Sequence, residues 1–313
     1  MTDTKTWYFI VNPRAGSGKA MAEWVPAEQK LLKSGLSFVT EMTGHKHHAA
    51  ELAYQAARNG YKRIIAVGGD GSLHETLCGI GRYCDESGCS PGEFTLGVMP
   101  IGSGNDWIKS LGVPHDMDKV GGMLAEETFS TMDLVRLDFG DGKNSYMANC
   151  GGTGFDSHVC DRVNIQKEQG LRGKSIYLKA LLHTVKHLSA IRVRVVADGG
   201  CVFEGECFSI ALGNGKYSGS GMRQVPLADI NDGLLDYMIV PKTTLPVIIK
   251  EIPRLFNGSV HESDKVLSGR CRELYIEALD DKSGDIVEVD GEIEGRLPLS
   301  IKMDGRKIRV VKG

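Results

Sequence analysis

The sequence has no long apolar run and no large excess of charge of either sign. No stretch approaches the 18 or so apolar residues that a bilayer-spanning helix needs, so we expect no transmembrane segment. The amino terminus shows no basic region followed by an apolar core, and we therefore expect no signal peptide and a cytoplasmic protein. Lys and Arg number 37 against 40 Asp and Glu, and this net charge of −3 does not favour nucleic-acid binding.

The eight cysteines include no C-x-x-C pair, which is the usual sequence signature of a zinc site. We interpret them as reduced thiols, most of them small buried residues. Proline is scarce as well, at 10 residues, which argues against a fibrous or low-complexity chain. Glycine is the residue in excess, with 40 among 313 residues, whereas its usual share is roughly 7%. The positions of these glycines are the first indication of function.

The pattern of apolar residues changes near residue 130. Before this point short apolar strands alternate with helical segments, which is typical of βαβ units around a mainly parallel sheet. After it, alternating strands separated by turn signals dominate, interrupted by amphipathic helices near Ser175–Leu188 and Leu245–Phe256. We therefore predict an α/β nucleotide-binding domain over residues 1–130. A β-rich domain, an antiparallel sandwich, would occupy residues 131–313, with a last strand that could return to the first domain.

Three glycine-rich turns follow predicted strands of the first domain. They are Asn12-Pro13-Arg14-Ala15-Gly16-Ser17-Gly18-Lys19, Gly68-Gly69-Asp70-Gly71-Ser72 and Gly102-Ser103-Gly104-Asn105-Asp106. Ligands of open α/β sheets bind outside the carboxyl ends of the strands, and glycine lets an anion approach backbone N–H groups there. A helix that starts after each turn adds partial positive charge. The sequence therefore predicts a nucleotide or polyphosphate site, although it contains neither a Walker A loop nor a G-x-G-x-x-G fingerprint.

Asp70 is the unusual residue of the second turn. A carboxylate inside a phosphate-binding turn would repel the ligand unless a cation lay between them, so Asp70 indicates Mg²⁺ or a role in proton transfer. The alternative for both Asp70 and Ser72 is the capping of a helix, which is a common use of these residue types. For Ser72 the two interpretations stay equally open.

The order of these motifs resembles the diacylglycerol kinase catalytic-domain family, which includes bacterial lipid kinases and the sphingosine and ceramide kinases. The resemblance extends over nearly the whole chain. It is carried by Asn12-Pro13, residues 68–75, 100–106, 149–156, 213–214, 226–236 and 289–292. It implies ATP-dependent phosphorylation of a lipid hydroxyl, with diacylglycerol as the preferred acceptor. The implied structure is a two-domain NAD kinase/diacylglycerol kinase-like fold with the active site in the cleft between the domains.

The resemblance also implies roles for particular residues. The nucleotide would be bound by Asn12, Pro13, Arg14, Ala15, Gly16, Thr43, Gly69, Asp70, Gly71, Ser72, Leu73, His74, Glu75, Ser103, Asn105 and Asp106. Mg²⁺ would be held by Asp229, Asp232 and the carbonyl of Leu234. Asp70 would be catalytic, and the general base would be Asp290 or Glu292, with Glu292 preferred. Each acidic residue taken singly also fits a local structural role, a turn for Asp229 and Asp232 and a hairpin for Asp290.

The expected partner is a lipid reached by transient contact with a membrane surface. The sequence does not decide whether the protein forms a homodimer. An acyl chain needs an apolar cleft. The helix Ile176–Leu188 could line such a cleft with Leu181, Leu182 and Leu188, although these residues fit a domain core equally well. Two other functions compete with the lipid kinase. One is NAD kinase-like phosphorylation of a soluble nucleotide, which shares the Gly-Gly-Asp-Gly turn. The other is a non-enzymatic nucleotide-binding regulator.

Overall fold

The chain forms two compact units. The computed structural model describes residues 5–102, 104–169, 171, 180, 183, 184, 189–219, 221–280 and 285–313. Unit 1 comprises Met1–Leu134 and Gly305–Gly313, and unit 2 comprises Val135–Asp304. The chain leaves unit 1 within strand β5 (Phe129–Phe139) and returns to it within strand β15 (Leu299–Val311).

Unit 1 is built on a parallel sheet with the strand order β2-β1-β3-β4-β15. Its first four strands are β1 (Trp7–Val11), β2 (Phe38–Met42), β3 (Arg63–Gly68) and β4 (Thr95–Pro100). The central strands are nearly continuous apolar runs, because helices cover both faces of a sheet of this kind. The helices are α1 (Ala15–Gly18, one irregular turn), α2 (Ala20–Lys33), α3 (His48–Arg58), α4 (Asp70–Ser87), α5 (Asp106–Leu111) and α6 (Met117–Glu126).

Unit 2 is built from antiparallel strands. They are the end of β5 with β6 (Asn144–Met147), β7 (Cys150–Gly154), β8 (Ile191–Ala197), β9 (Gly200–Gly213), β10 (Leu235–Pro241), β11 (Leu267–Cys271), β12 (Glu273–Ala278), β13 (Ile286–Val289) and β14 (Glu292–Arg296), with the start of β15. The long strand β9 pairs with β8 along its first half and lies between β7 and β10 along its second half. Helices α7 (Phe155–Glu168) and α8 (Leu245–Asn257) complete the unit.

Glycine explains why the sequence patterns missed strand β7, which reads Cys-Gly-Gly-Thr-Gly and has no alternation of apolar residues. A Cβ atom on Gly152 would overlap the carbonyl oxygen of Ile210 on the adjacent strand, so the tertiary contact and not strand propensity selects glycine here. The predicted helix Ser175–Leu188, with Leu181, Leu182 and Leu188, lies almost entirely outside the described residues. In the described parts of the chain, no helix is both long and apolar enough to cross a bilayer.

Helices α3 and α4 pack closely through small residues. α3 buries alanines at positions 49, 53, 56 and 57. A Cβ on Gly79 of α4 would overlap the carbonyl oxygen of Ala50 and lie 2.8 Å from the Cβ of Ala53. A single methyl group at position 79 would therefore force the two helices apart.

We expect Gly79→Ala to lower the free energy of unfolding by about 1–3 kcal/mol, because the clash outweighs the better helix propensity of alanine. Gly122→Ala in α6 is the matched control, since a Cβ there meets nothing within 4 Å. The control should stabilise the protein by up to about 1 kcal/mol. Thermal or urea unfolding of both variants tests this, and a Gly79→Ala protein as stable as the Gly122→Ala protein would contradict the packing described here.

Candidate functional site

The three glycine-rich turns of unit 1 meet at one edge of the parallel sheet. We call Asn12–Lys19, Gly68–Ser72 and Gly102–Asp106 the turn cluster. The Asn12 side-chain amide donates to the Ser72 hydroxyl over 3.2 Å, which joins the first and second turns. A Cβ on Gly16 would lie 2.7 Å from the side chain of Ile101, so the first turn also packs directly against the end of β4. The backbone of the first turn is left-handed at Gly16, Ser17 and Gly18, with φ of 59°, 62° and 86°.

Asp70 joins the second turn to the third. Its carboxylate accepts hydrogen bonds from the backbone N–H groups of Asp106 at 2.9 Å and Trp107 at 3.3 Å. These N–H groups belong to the first turn of α5, where they have no partner within the helix. The acidic residue thus has a structural partner within the protein, in addition to the Mg²⁺ or proton-transfer role that the sequence suggested for it.

Asn105 contributes a buried acceptor to the turn cluster. It precedes α5 in a left-handed conformation with φ of 52°, and its side-chain oxygen is buried without a hydrogen-bond partner among the described residues. That oxygen lies 3.6 Å from where a Cβ of Gly69 would be. A buried acceptor without a partner costs free energy unless a ligand supplies a donor. This atom could accept a hydrogen bond from a bound nucleotide, while Gly16 and Gly68 let the turns pack closely against Ile101 and Ser72.

The other residues of unit 1 that the sequence predicts to bind the nucleotide lie in several different environments. Thr43 donates its backbone N–H to the carbonyl of Val11, which places it beside the end of β1. Glu75 accepts hydrogen bonds from the backbone N–H groups of His47 at 3.0 Å and Ala49 at 3.1 Å, and so it caps α3.

Leu73 and His74 are buried in the interior, and Gly71 lies in the first turn of α4. Ser103 lies outside the described residues. Pro13, Arg14 and Ala15 form the partly exposed start of the first turn.

Asp290 is a buried hydrogen-bond acceptor in unit 2. Its carboxylate accepts hydrogen bonds from the backbone N–H groups of Ala148 and Asn149, both at 2.8 Å, and of Cys150 at 3.2 Å. Asp290 and Gly291 have φ of 52° and 88° and form the two-residue turn of the β13–β14 hairpin. The geometry therefore shows the hairpin role of Asp290 and adds to it the satisfaction of three backbone donors.

Glu292 follows that turn as the first residue of β14, paired with Val289 of β13. Its side chain is partly exposed, in contrast to the buried side chain of Asp290. The two candidate bases are thus neighbours on one hairpin. The carboxylate of Asp290 is surrounded by backbone N–H donors of the β6–β7 connection.

The predicted Mg²⁺ ligands of unit 2 lie in the loop before β10. Asp229 accepts from the N–H of Asn231 at 3.1 Å, and Asp232 accepts from the N–H of Leu234 at 3.0 Å, so one carboxylate oxygen of each residue stabilises the loop. The second oxygen of Asp232 lies 3.4 Å from the guanidinium of Arg270. Exposed carboxylates and a backbone carbonyl are the hard oxygen donors that Mg²⁺ prefers, so the donor set fits this ion, with Arg270 as an internal competitor.

An apolar pocket in unit 2 was not found by the sequence analysis. It lies between α8 and the strands β9 and β10. Its walls include Phe155, Phe208, Met222, Val247, Ile252, Leu255 and Phe256. The feature in the sequence that could have indicated it is α8 itself, because that helix is strongly amphipathic and needs an apolar surface to pack against.

The carboxyl group of Asp156 is the acidic group on the wall of this pocket nearest to β9. Ser209 donates its hydroxyl to this carboxyl over 2.6 Å, and Gln224 also bonds to it. Burial raises the pKa of Asp156 above its usual range, while these two hydrogen bonds act in the opposite direction. The pocket therefore combines a large apolar surface with a few polar groups, among them the cluster around Asp156, as small-molecule sites commonly do.

Comparison with known proteins extends over nearly the whole chain. The model of the diacylglycerol kinase catalytic domain matches residues 6–137, and that of the YegS C-terminal NAD kinase beta sandwich-like domain matches residues 150–312. A diacylglycerol kinase from Mycobacterium tuberculosis is 27% identical over 304 residues, which cover 97% of this chain and 94% of that protein.

Two solved structures have a similar fold. A crystal structure of a diacylglycerol kinase from Bacillus anthracis superposes with a TM-score of 0.76 at 22% identity, covering 100% of this chain and 99% of that chain. An NAD kinase from Archaeoglobus fulgidus in complex with ATP gives 0.51 at 13% identity, covering 98% and 93%. The predicted two-domain NAD kinase/diacylglycerol kinase-like fold is confirmed, and the chain belongs to the diacylglycerol kinase catalytic-domain family.

Proposed function

We propose that the protein is an ATP-dependent lipid kinase that transfers the γ-phosphoryl group to the hydroxyl of a diacylglycerol. Family membership supports phosphoryl transfer. The observation that carries the lipid acceptor is the apolar pocket of unit 2. A soluble nucleotide acceptor would need mostly polar walls, whereas this pocket is lined mainly by apolar side chains, with Asp156 and Glu251 among its few polar residues.

In this proposal ATP binds to the turn cluster of unit 1. The left-handed backbone from Gly16 to Gly18 and the start of α4 supply N–H groups for the phosphates. The unpartnered oxygen of Asn105 accepts a hydrogen bond from the nucleotide. Asp70 acts as a positioning residue, because its carboxylate fixes the start of α5 beside Asn105. Thr43 lines the same edge of the sheet.

Mg²⁺ would be held in unit 2 by Asp229, Asp232 and the carbonyl of Leu234. When bound, the ion supplies positive charge that offsets the charge of the phosphates. Asp232 would then exchange its contact with Arg270 for the metal, and Arg270 keeps its 3.1 Å hydrogen bond to Asp236.

We assign the general base to Glu292. Phosphoryl transfer needs a carboxylate that takes the proton from the attacking hydroxyl. The oxygens of Asp290 already accept three backbone hydrogen bonds, so protonating this residue would weaken the support of the β6–β7 connection. Glu292 lies on the same hairpin, its side chain is partly exposed, and it is the base that the family resemblance favours.

Substrate class is tested by transfer of labelled phosphate from Mg·ATP to diacylglycerol, sphingosine and phosphatidylglycerol in mixed micelles, with NAD as a soluble acceptor. We expect label on diacylglycerol and no NADP, because the acceptor pocket is apolar. NADP formation without lipid phosphorylation would instead show an NAD kinase-like enzyme. A thermal shift with Mg·ATP but no transfer to any acceptor would show a nucleotide-binding regulator.

The two candidate bases are separated by comparing Glu292→Gln with Asp290→Asn. Glu292→Gln should lower kcat by at least about 100-fold, since it replaces the proposed proton acceptor with an amide of the same size. Asp290→Asn should lower the free energy of unfolding by about 1–3 kcal/mol, because an amide cannot accept the three backbone hydrogen bonds equally well.

Glu273→Gln on β12 serves as the control in both measurements, because Glu273 forms only an exposed 3.2 Å ion pair with Lys302. It should keep wild-type activity and stability. Full activity in Glu292→Gln would exclude this residue as the base.

A further inference from the structure

The outward face of α8 is apolar although it is exposed to solvent. Positions 246, 249, 250, 253 and 256 recur at spacings of three and four residues, and they therefore share one face of the helix. They are occupied by Pro, Ile, Lys, Pro and Phe, all of them exposed, and the exposed polar Asn257 ends the same face. The side chains of Ile249 and Phe256 are 56% and 57% exposed, among the largest exposures of apolar residues in the described parts of the chain.

The inward face of the same helix is apolar as well. Val247, Ile248 and Ile252 line the pocket of unit 2. A helix at the surface of a protein in water normally carries charged or polar residues opposite its buried face. The polar residues of α8 are Lys250, Glu251, Arg254 and Asn257. Ile249 and Phe256 nevertheless extend the apolar surface of the helix into solvent.

The charges on and around this face suit an anionic surface. Lys250 is the one charged residue on the outward face. The only acidic residue of the helix, Glu251, lies on the pocket side and is 3.2 Å from Arg254. Beside the helix, Lys265 is 2.7 Å from Asp264, so these two charges offset each other. An apolar face with a basic residue and no carboxylate is typical of helices that lie in the interface of a bilayer with anionic lipids.

The outward face is also continuous with the pocket. Phe256 both lines the pocket and is largely exposed, so the apolar surface runs from the outside of α8 into the space beside Asp156. A lipid that moved along this surface would keep its acyl chain in apolar contact throughout, which avoids the cost of exposing the chain to water.

We infer that the outward face of α8, defined by Pro246, Ile249, Lys250, Pro253 and Phe256, is the surface with which the protein docks on an anionic bilayer. Docking inserts Ile249 and Phe256 at the level of the headgroups and places the mouth of the pocket against the membrane. The inference rests on the proposed lipid kinase activity for its purpose, but docking can be measured without turnover.

The test is co-sedimentation with phosphatidylcholine vesicles containing phosphatidylglycerol, in the absence of ATP. We expect Ile249→Glu to weaken binding at least about tenfold, because it replaces a buried apolar contact with a charge. Leu267→Glu on β11 is the matched control, since Leu267 is 45% exposed in the same unit but lies outside the outward face of α8. The control should bind vesicles as the wild type does. Lys250→Ala should weaken binding to the anionic vesicles more than to pure phosphatidylcholine vesicles.

Three outcomes would overturn the inference. In the first, the wild-type protein does not bind vesicles, and in the second, Ile249→Glu and Leu267→Glu bind vesicles equally well. In the third, Ile249→Glu converts a wild-type dimer to a monomer but still binds vesicles. The last outcome would assign the face to a second copy of the chain, and light scattering detects it. Phosphorylation of a short-chain diacylglycerol in mixed micelles should be unchanged in Ile249→Glu. If the wild-type protein does not phosphorylate the short-chain diacylglycerol, the proposed function is contradicted. The result of the vesicle-binding experiment would still hold.

Discussion

The arrangement of the turn cluster depends on the hydrogen bonds from two backbone N–H groups to the carboxylate of Asp70. They hold the end of β3 against the start of α5, and so fix Asn105 next to Gly69. A charged acceptor at the first turn of a helix forms stronger bonds than a neutral one, and it interacts favourably with the helix dipole. The same bonds explain how an acidic residue can lie in a turn that is suited to phosphate, because the start of α5 already compensates part of its charge.

Unit 2 uses the same physical device at Asp290. There a carboxylate at the tip of a hairpin accepts three backbone N–H groups from the connection between β6 and β7. Buried backbone donors must find acceptors, and a carboxylate can serve several at once. In both units, a residue whose acidity suggested chemistry therefore also holds two chain segments together. The structural use of Asp290 is the reason that we propose Glu292 as the proton acceptor.

The features that support the proposed lipid acceptor are α8 and the pocket behind it. Tertiary packing gives the helix one face that closes an apolar pocket and a second apolar face that remains exposed. The polar groups of the pocket are concentrated around Asp156, whose pKa is raised by its burial. An acceptor that is mostly hydrocarbon with one polar end matches this distribution. A soluble nucleotide does not.

The sequence by itself determined the alternation of strands and helices in unit 1, the antiparallel character of unit 2, and the family to which the chain belongs. These features are local, because strand periodicity and glycine-rich turns are written in consecutive residues. Strand β7 could not be found in this way, since its glycines are selected by the close approach of β9. The backbone partners of both Asp70 oxygens, the lack of a partner for the Asn105 oxygen among the described residues, and the face of α8 that is covered all follow from segments far apart in sequence. Only the tertiary structure decided them, because burial and hydrogen-bond satisfaction are properties of the folded neighbourhood.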